Sequence, residues 1–307
     1  DNNLMSIYIE RSINNHKEFY SAGISIINVS TGQNMILNII PSYENDIYTD
    51  NEIKRLLSNY NPIEILIHLE NFSLTKDEII NKYEINHTNI FINHFEDNTE
   101  YKQLNYQNTL LQKVFNFETM GTPIEELNLE RRDDVLLSYI YLLNFIYEHK
   151  TDLINNIEKP IELNDNKCLL LSSDSIRQLN IFDNYDYYDG RDKDLFSLLC
   201  KTVTPMGKRL FKNRLLYPSI DTEIINKRYD KVELLLSEKI YEEIRNNLRR
   251  LNDYERSLRK MSLNLLDPYI LYSDFISYEF IIQTINLIKN NNKLYDKYKL
   301  DVDIFNK

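Results

Sequence analysis

The chain has 307 residues, 42% of them hydrophobic and 27% charged, an ordinary mix for a globular protein of about two domains. The formal net charge is -11, whereas a domain that mainly grips phosphates is normally basic, so most of this surface is not wrapped in nucleic acid. Only 5 glycines occur, which favours a helix-rich fold over one with a glycine-rich nucleotide loop. No secretory signal or membrane-spanning run is visible, because the most apolar stretch, Val135 to Tyr147, is short and interrupted by Ser138 and Asn144.

The two cysteines, Cys168 and Cys200, show neither zinc nor redox spacing and have apolar neighbours. They predict buried free thiols and an intracellular, reducing environment, without naming a compartment or host. The chain begins at Asp1 without an initiator methionine, which suggests a piece of a longer protein.

The first part of the chain alternates strand and helix signals. Phe19 to Val29 predicts a strand, Ser30-Thr31-Gly32 a turn, and Gln33 to Ile39 the hairpin partner of that strand. Thr49 to Glu52 then offers a helix cap before the apolar stripe of Ile53, Leu56 and Leu57.

An α/β layer pattern continues after the break at Asn61-Pro62. Ile63 to Leu69 predicts a buried strand, Ser73 or Thr75 caps a short helix through Tyr83, and His87 to Asn93 predicts another strand. Between about Asn98 and Glu130 the periodicity weakens.

A strong helix follows Asp133 and Asp134, and one of its faces carries Leu136, Ile140, Leu143 and Tyr147. Lys159-Pro160 marks the predicted domain boundary. Residues 1–160 form the first domain, which ends in a helical linker from about residue 116, and residues 161–307 form the second.

The second part is almost entirely helical from Phe196 onward. Before it, Lys167 to Leu171 predicts an extended piece and Asp174 to Ile181 a strand or turn. Thr204-Pro205 and Asp221 predict the starts of two helices, and Tyr217-Pro218 ends the first of them. A third helix is predicted from about Lys239 to Met261 and a fourth, after the Asp267-Pro268 break, from Tyr278 to Leu287.

Several short motifs follow one another in the second part. A Thr-x-Thr-x-x-Gly turn precedes an Arg-Leu helix start, a Pro-x-x-Asp corner follows, then an arginine inside a helix and an Asp-x-Glu-Arg segment. Their residues are Thr202, Thr204, Gly207, Arg209, Leu210, Pro218, Asp221, Arg228, Asp253, Glu255 and Arg256. Blocks of this kind in this order resemble the core, or lever, domain of the MutS family of DNA mismatch repair proteins. Gln178 and Asn180 depart from that family's pattern, which has Asn and Glu there.

The first part resembles the connector domain of the same family. Gly23 to Gly32 is similar to the family's Gly-Val-Ala-x-x-Asp-x-Ser-Thr-Gly. The resemblance therefore implies an α/β fold followed by an all-α one: an RNase H-like connector domain joined to the N-terminal part of a helical lever domain.

The resemblance also implies a larger parent protein. That parent would bind mismatched double-stranded DNA, use ATP and magnesium, form a dimer and meet a MutL-type partner at the connector. The remaining MutS domains, for mismatch binding, clamping and ATP hydrolysis, would be further partners. No Phe-x-Glu mismatch-reading motif occurs in this chain. Gly207-Lys208 lacks the first glycine and the Ser/Thr of a phosphate loop, since Thr202 and Arg209 stand there. We therefore expect no catalytic residue, cofactor or metal in the segment, and no enzyme activity or membrane contact.

Two other functions stay open from the residues alone. One is a protein-interaction adaptor without a DNA role. The other is a metal-dependent nuclease, which needs clustered carboxylates on adjacent strands. A nuclease is disfavoured because the first predicted strand carries Ser25 and Asn28 but no carboxylate. The central strand does offer Glu64 and His68. His87 and His94 are expected to be polar strand ends rather than metal ligands, since no partner stands at ligand spacing.

The charged residues of the second part have two readings. Lys201, Lys208 and Lys212, beside Arg209, either contact DNA phosphates or another domain, or form a solvated face paired with Asp192 and Asp194. Asp253 with Arg256, and Glu255 with Arg259, are spaced to bridge along one helix. Such ties predict that Arg256→Ala loosens a helix junction. The stretch Tyr185 to Asp189 is expected to be an exposed loop, because its aspartates repel phosphate.

Overall fold

A computed structural model describes residues 2–14, 17–40, 47–85, 89–94, 99–163, 167–182 and 194–303. The chain divides into two compact units, one of Asp1–Asn164 with Ser172–Asp174 and the other of Asp165–Leu171 with Ser175–Lys307. The first contains a β-sheet and the second is helical, so the α/β and all-α classes occur in the predicted order. No helix of the described residues has both the length and the apolar character needed to cross a bilayer.

A six-stranded mixed sheet forms the centre of the first unit. Its strands are β1 (Asn3–Asn14), β2 (Lys17–Asn28), β3 (Asn34–Ile39), β4 (Glu64–Glu70), β5 (Asn89–His94) and β6 (Ile161–Glu162). They lie in the order β5-β4-β1-β2-β3-β6. β2 is antiparallel to β1 and β3, which confirms the predicted hairpin, whereas β4 is parallel to both β1 and β5.

Helices cover both faces of this sheet. α1 (Tyr48–Tyr60) and α2 (Lys76–Tyr83) lie on one face, and α3 (Leu104–Phe115), α4 (Pro123–Glu126) and α5 (Asp133–His149) on the other. Successive side chains of a strand point to opposite faces, so each central strand feeds two cores. On β1, Met5, Ile7 and Ile9 face α1 and α2, and Leu4 and Tyr8 face α5.

β1 was not predicted, although it is a central strand. Its side chains are buried on both faces, so apolar and polar residues do not alternate along it as they do in a half-exposed strand. α3 was missed as well, because Gln103 at its start makes no side-chain cap. β6 also lies beyond the predicted boundary at Pro160, since Ile161 and Glu162 pair with β3 of the first unit.

α5 is a core helix, and its assignment to a linker from about residue 116 was wrong. Every residue from Val135 to Asn144 is buried, which a linker would not achieve. Tyr147, which was predicted to share the apolar face of this helix, is 39% exposed. α5 approaches β2 so closely that a Cβ added at Gly23 would lie 2.0 Å from the carbonyl oxygen of Asp134.

Helix starts in the first unit agree with the local signals in one case and differ in another. Thr75 caps α2 with a capping box, in which its side chain and that of Glu78 bond each other's backbone amides. Thr49 does not cap α1, which begins at Tyr48. Its hydroxyl donates to the Tyr20 carbonyl instead. Ile53, Leu56 and Leu57 form the buried stripe, as predicted.

Helices also make up most of the second unit. They are α6 (Ser173–Gln178), at the boundary with the first unit, α7 (Leu195–Leu199), α8 (Pro205–Leu216), α9 (Thr222–Ser237), α10 (Tyr241–Leu248), α11 (Tyr254–Ser262), α12 (Pro268–Lys289) and α13 (Asn292–Asp303). The predicted extended piece is present, because Cys168 bridges Ser219 across an antiparallel contact.

Three predictions in this part were wrong. The helix from Lys239 to Met261 is two helices, α10 and α11. Asp174 to Ile181 begins with helix α6 rather than a strand or turn, and the helix predicted from Tyr278 starts ten residues earlier as α12. Cys168 and Cys200 are free thiols, as expected, but both are partly exposed rather than buried.

The second unit buries few apolar side chains among its described residues. One small cluster contains Ile176, Ile181 and Leu216. On α12 the buried residues are the polar Asp274 and Ser277. Large apolar side chains of the same helix are exposed: Tyr269, Leu271, Tyr272, Phe275, Ile276, Tyr278 and Ile282. This helix therefore exposes many large apolar side chains, although two of its polar side chains are buried.

His68 lies on β4 beneath α5, and the residue is 1% exposed. Its ring stacks on Tyr141 with centroids 3.6 Å apart, and neither ring nitrogen has a hydrogen-bond partner among the described residues. Burial lowers the pKa of His68 to about 3, because the charged imidazolium would lose its hydration.

We expect this histidine to make the fold sensitive to acid. The unfolded chain takes up a proton near pH 6.5 and the folded chain only near pH 3, so stability falls as the pH drops below about 6.5. Between pH 7 and 4.5 the loss is about 2 kcal/mol. His68→Phe keeps the ring stack and should remove that loss in urea unfolding at both pH values. Burial raises the pKa of Glu10 and Asp134, whose contributions have the opposite sign, so the variant is compared with the wild type at each pH. An unchanged pH dependence would rule out a buried neutral imidazole.

Candidate functional site at a helix junction

The Thr-x-Thr-x-x-Gly turn builds the start of α8. Thr204 caps the helix by accepting a hydrogen bond of 3.1 Å from the Gly207 amide, and Pro205 follows at the first helical position. A Cβ at Gly207 would lie 2.8 Å from the Thr204 Oγ1 and 3.5 Å from the Thr202 Cβ. The glycine thus makes room for the Thr204 cap at the start of the helix.

The next motif residues shape the corner between α8 and α9. The Pro218 carbonyl accepts a 2.7 Å hydrogen bond from the Leu169 amide, and Asp221 caps α9 through the Glu223 and Ile224 amides. Arg228 is half-buried, and its charge is the second cause, after burial, of a lowered pKa of Arg214. Leu210 is 50% exposed.

Arg209 connects α8 to the start of α11. Its Nη1 donates to the Asp253 Oδ2 at 2.8 Å and its Nη2 to the Asp253 Oδ1 at 2.5 Å, a two-pronged ion pair. Its Nε donates to the Glu255 Oε2 at 2.8 Å. The side chains of Arg209 and Asp253 are 19% and 17% exposed, so water screens this pair only partly. The motif that contains Arg209 therefore contacts the motif that contains Asp253, 44 residues later in the chain, through the Arg209 guanidinium.

The ionisation of this cluster follows from the same contacts. The hydrogen bonds from Arg209 are the largest cause of a lowered pKa of Asp253, and burial opposes them. The hydrogen bond to Asp253 likewise raises the pKa of Arg209. Both groups are therefore held in their charged forms.

On its other side, the start of α11 is tied to α12. The Asn252 Nδ2 donates to the Ser273 Oγ at 2.8 Å and to the Asp274 Oδ1 at 2.7 Å. The Tyr254 hydroxyl lies 2.6 Å from the Ser277 Oγ. The sequence analysis missed these residues, since a polar contact between distant helices leaves no local pattern. We call this polar set the junction, comprising Arg209, Asn252, Asp253, Tyr254, Glu255, Asp274 and Ser277.

The tie predicted for Arg256 is present but weak. Its Nε lies 3.5 Å from the Asp253 Oδ2, at the limit of a hydrogen bond, and its side chain is 46% exposed. Glu255 accepts from Arg209, while its predicted pairing with Arg259 stays a prediction. The long-range cation that holds the junction is Arg209 rather than Arg256.

The basic residues of α8 contact aromatic rings. The Lys208 Nζ lies 5.8 Å from the Phe196 ring centroid, and the Lys212 Nζ lies 5.8 Å from that of Phe182. Burial, and then the charge of Lys208, lowers the pKa of Lys212. Lys201 is exposed and precedes the helix.

Of the two predicted acidic partners of these lysines, only Asp194 lies among the described residues. Asp192 lies outside the described residues, as do His87 and the Tyr185 to Asp189 stretch. Asp194 caps α7 through the Ser197 amide. Of His94, only the strand position is described.

One premise against a nuclease was wrong. The first strand is β1, which carries Glu10 directly opposite Glu70 on β4. The Glu70 carboxylate accepts hydrogen bonds from the Lys102 ammonium and from the Tyr8 hydroxyl. Within the described ranges, no group of three or more His, Cys, Asp or Glu side chains could hold a metal ion.

Comparisons with known proteins match both units. Residues 174–303 fit the family MutS domain III. A DNA mismatch repair protein mutS homolog of Acanthamoeba polyphaga mimivirus is 30% identical over 317 residues, covering 95% of this chain and 28% of the relative. The DNA mismatch repair protein MutS of Caldanaerobacter subterraneus is 30% identical over 302 residues, covering 94% of this chain and 30% of the relative. The chain thus spans less than a third of the length of these relatives.

A solved structure with a partial match is the fowlpox virus Holliday junction resolvase. It covers 47% of this chain and 98% of its own at 15% identity, with a TM-score of 0.29. No common fold follows from a score of this size.

Proposed function

Because this chain belongs to the MutS family of DNA mismatch repair proteins, we propose that it is the connector and the first helical part of the lever domain of such a protein. The first compact unit, which includes β6 beyond Pro160, would be the connector, and the second unit would be the lever segment. An RNase H-like fold for the connector is compatible with its sheet, in which a three-stranded meander borders parallel strands joined by helices.

The exposed apolar side chains of α12 carry this proposal. Phe275 is 72% exposed, Tyr269 77% and Tyr272 64%, on a helix that buries Asp274 and Ser277. A contiguous apolar surface of this kind is unfavourable in water and marks an interaction site. The chain spans less than a third of its relatives' length, so the remaining MutS domains are the natural partner for this surface.

In this proposal the segment transmits conformational change and performs no chemistry itself. Mismatch recognition, ATP hydrolysis with magnesium, clamping and dimer formation would belong to the rest of the protein, and a MutL-type partner would meet the connector. A bidentate ion pair and partly buried hydrogen bonds fix the junction, which suits an element that passes displacement between distant sites. The two free thiols support a reducing, intracellular location.

Lys201, Lys208 and Lys212 are proposed as a contact to DNA phosphates or to a neighbouring domain. None of the carboxylates among the described residues pairs with Lys208 or Lys212, so their charge is available to a partner. Burial and then the charge of Lys208 lower the pKa of Lys212, and an incoming anion would offset the second of these causes.

Footprinting of the complete protein tests the proposal. We expect Tyr269, Tyr272 and Phe275 to react readily with hydroxyl radicals in the 307-residue chain and to be strongly protected in the complete reading frame. Met120, fully exposed on the first unit, is the matched control and should react equally in both. The complete protein should also bind mismatched DNA and hydrolyse ATP, whereas the 307-residue chain should do neither.

Two results would favour the alternatives. A reading frame that ends near Lys307, with equal reactivity of the α12 side chains, would favour a protein-interaction adaptor without a DNA role. DNA cleavage by the purified chain that depends on magnesium or manganese would favour the nuclease, which Glu10 and Glu70 alone do not support.

A further inference from the structure

Two phenylalanine rings lie side by side next to α8. Phe182 follows α6, Phe196 belongs to α7, and their ring centroids are 5.1 Å apart. The Phe196 amide donates a hydrogen bond of 3.1 Å to the Ile181 carbonyl, so the backbone fixes the two rings beside each other. The Phe196 ring also lies 5.9 Å from that of Phe211, on α8. Phe182 and Phe196, which we call the ring pair, therefore have a fixed position relative to this helix.

Lys208 and Lys212 place their charges on this ring pair. The Lys208 Nζ lies 5.8 Å from the Phe196 centroid, and the Lys212 Nζ lies 5.8 Å from the Phe182 centroid. Residues four apart share one face of a helix, so both ammonium groups lie on the same side of α8. The face of an aromatic ring attracts a cation but carries no net charge. The rings therefore position the two ammonium groups without neutralising them.

The two lysines lack the carboxylate partner that a comparable lysine of this unit has. Lys227 on α9 lies 3.9 Å from Glu223, one helical turn before it. No carboxylate of the described residues pairs with Lys208 or Lys212. The charge of Lys208 instead helps to lower the pKa of Lys212, after burial, which is the larger cause. Two like charges thus stand beside each other without an anion from the described residues to compensate them.

The charge around this pair favours a protein partner over DNA. Each DNA strand carries a phosphate about every 3.4 Å, so DNA is normally held by a row of free cations. On α8, however, Arg209 is already bound by Asp253 and Glu255. Arg214 stands two residues after Lys212, a spacing that places it on another face of the helix. The net charge of the chain is -11, which disfavours an approaching phosphate backbone, whereas two carboxylates of one polypeptide can pair with two ammonium groups and need no further cations.

We propose that Lys208 and Lys212 bind an acidic polypeptide segment from outside these 307 residues, whose carboxylates supply the missing partners. Each ammonium group keeps its ring and gains one carboxylate. Because Lys212 is half-buried, water screens its ion pair less than it would on an open helix surface. Of the two partners suggested above for these lysines, DNA phosphates or a neighbouring domain, this binding selects the domain. That the segment belongs to the rest of the same protein rests on the proposed function, whereas the preference for carboxylates does not.

Lysine NMR signals of the 307-residue chain, labelled with ¹³C-lysine, test this binding. The ε-carbon signal of Lys212 is assigned by its loss in Lys212→Gln. An oligoglutamate peptide should shift this signal saturably at physiological salt, where charges beyond about 8 Å are screened, and an oligoglutamine peptide of the same length should leave it unchanged. Lys208→Gln should weaken the affinity for oligoglutamate by about two- to fivefold, the factor given by one partly exposed ion pair. Lys208→Arg keeps the charge and should retain the affinity.

Lys227→Gln is the matched control, because it makes the same change in net charge at an exposed lysine that already has Glu223 as its partner. It should bind the peptide as the wild type does. Equal affinities of Lys208→Gln and Lys227→Gln would overturn the proposed binding. So would tighter binding of duplex DNA of the same charge at the Lys212 signal. In the free chain, a Lys212 that titrates at or above the ordinary lysine pKa near 10.4 would overturn it as well, since an acid of the chain would then already be its partner. Each of these results would leave the proposed function standing, since footprinting of α12 tests it separately.

Discussion

Gly23→Ala is expected to destabilise the first unit by more than about 3 kcal/mol. The added Cβ would lie 2.0 Å from the Asp134 carbonyl oxygen, 2.1 Å from its carbon and 2.4 Å from the Val135 amide nitrogen. All three are backbone atoms in the first turn of α5, so no side-chain rotation can relieve the clash. α5 would have to move off the sheet, and its central side chains, from Val135 to Asn144, are all buried.

Such a movement also breaks polar contacts beneath α5. The Ser138 Oγ donates to the Ser6 carbonyl and lies 2.9 Å from the Ser25 Oγ, so three segments lose a shared buried network. Urea unfolding followed by circular dichroism measures the effect. Gly121→Ala is the matched control, because its Cβ would meet only the flexible ends of Glu125 and Glu126 at 3.2 and 3.3 Å, and it should change stability by less than about 0.5 kcal/mol. A Gly23→Ala variant as stable as Gly121→Ala would show that α5 does not pack on β2 at this distance.

Features encoded by neighbouring residues could be predicted from the sequence. The Ser-Thr-Gly turn gave the β2–β3 hairpin, and Thr204-Pro205 and Asp221 gave the starts of α8 and α9. In each case the signal and the structure span only a few residues, so the backbone preference of a turn or a cap decides the outcome.

Features that depend on distant contacts could not be predicted. The periodicity from Lys239 to Met261 suits one helix, yet the chain leaves the helix between Leu248 and Tyr254. There, Asn252 bonds to Ser273 and Asp274, and Asp253 bonds to Arg209. Tertiary hydrogen bonds thus override local helix propensity.

In the second unit, apolar stripes in the sequence did not predict which side chains are buried. Leu258 and Met261 stand at apolar-stripe spacing in the helix predicted from Lys239 to Met261, but they are 61% and 44% exposed. A stripe predicts that a face is apolar without saying what covers it. In a segment that spans less than a third of its relatives' length, the covering partner can be another part of the protein.

The junction shows the same difference at the level of one aspartate. Asp253 has a local candidate three residues away, Arg256, and sequence spacing selected it. The better partner, Arg209, is 44 residues away and becomes available only once α8 and α11 are packed together. Both arginines belong to the motifs recognised in the sequence, but the sequence alone did not show which of them binds Asp253 more closely.

That order can be measured, since Arg209→Gln should lower the free energy of unfolding of the second unit by about 2–3 kcal/mol. The substitution leaves Asp253, 17% exposed, without its bidentate donor. The penalty stays below that of a fully buried pair because water reaches part of the site. Arg256→Gln, which removes a half-exposed cation 3.5 Å from the same carboxylate, should lower it by less than about 0.5 kcal/mol.

A double-mutant cycle isolates the pair itself. Asp253→Asn combined with Arg209→Gln should lose less than the sum of the two single losses, with a coupling of about 1–2 kcal/mol, because either change alone already breaks the ion pair. The pH dependence has a definite sign as well. Because the folded-state pKa of Asp253 is lowered, the pair stabilises the fold fully above the ordinary aspartate pKa near 3.9, and this contribution is lost as the pH falls through the lower folded value. Arg209→Gln should therefore unfold with a weaker acid dependence than the wild type. Equal losses for Arg209→Gln and Arg256→Gln would mean that spacing along α11, rather than the packing of α8 against it, holds the junction together.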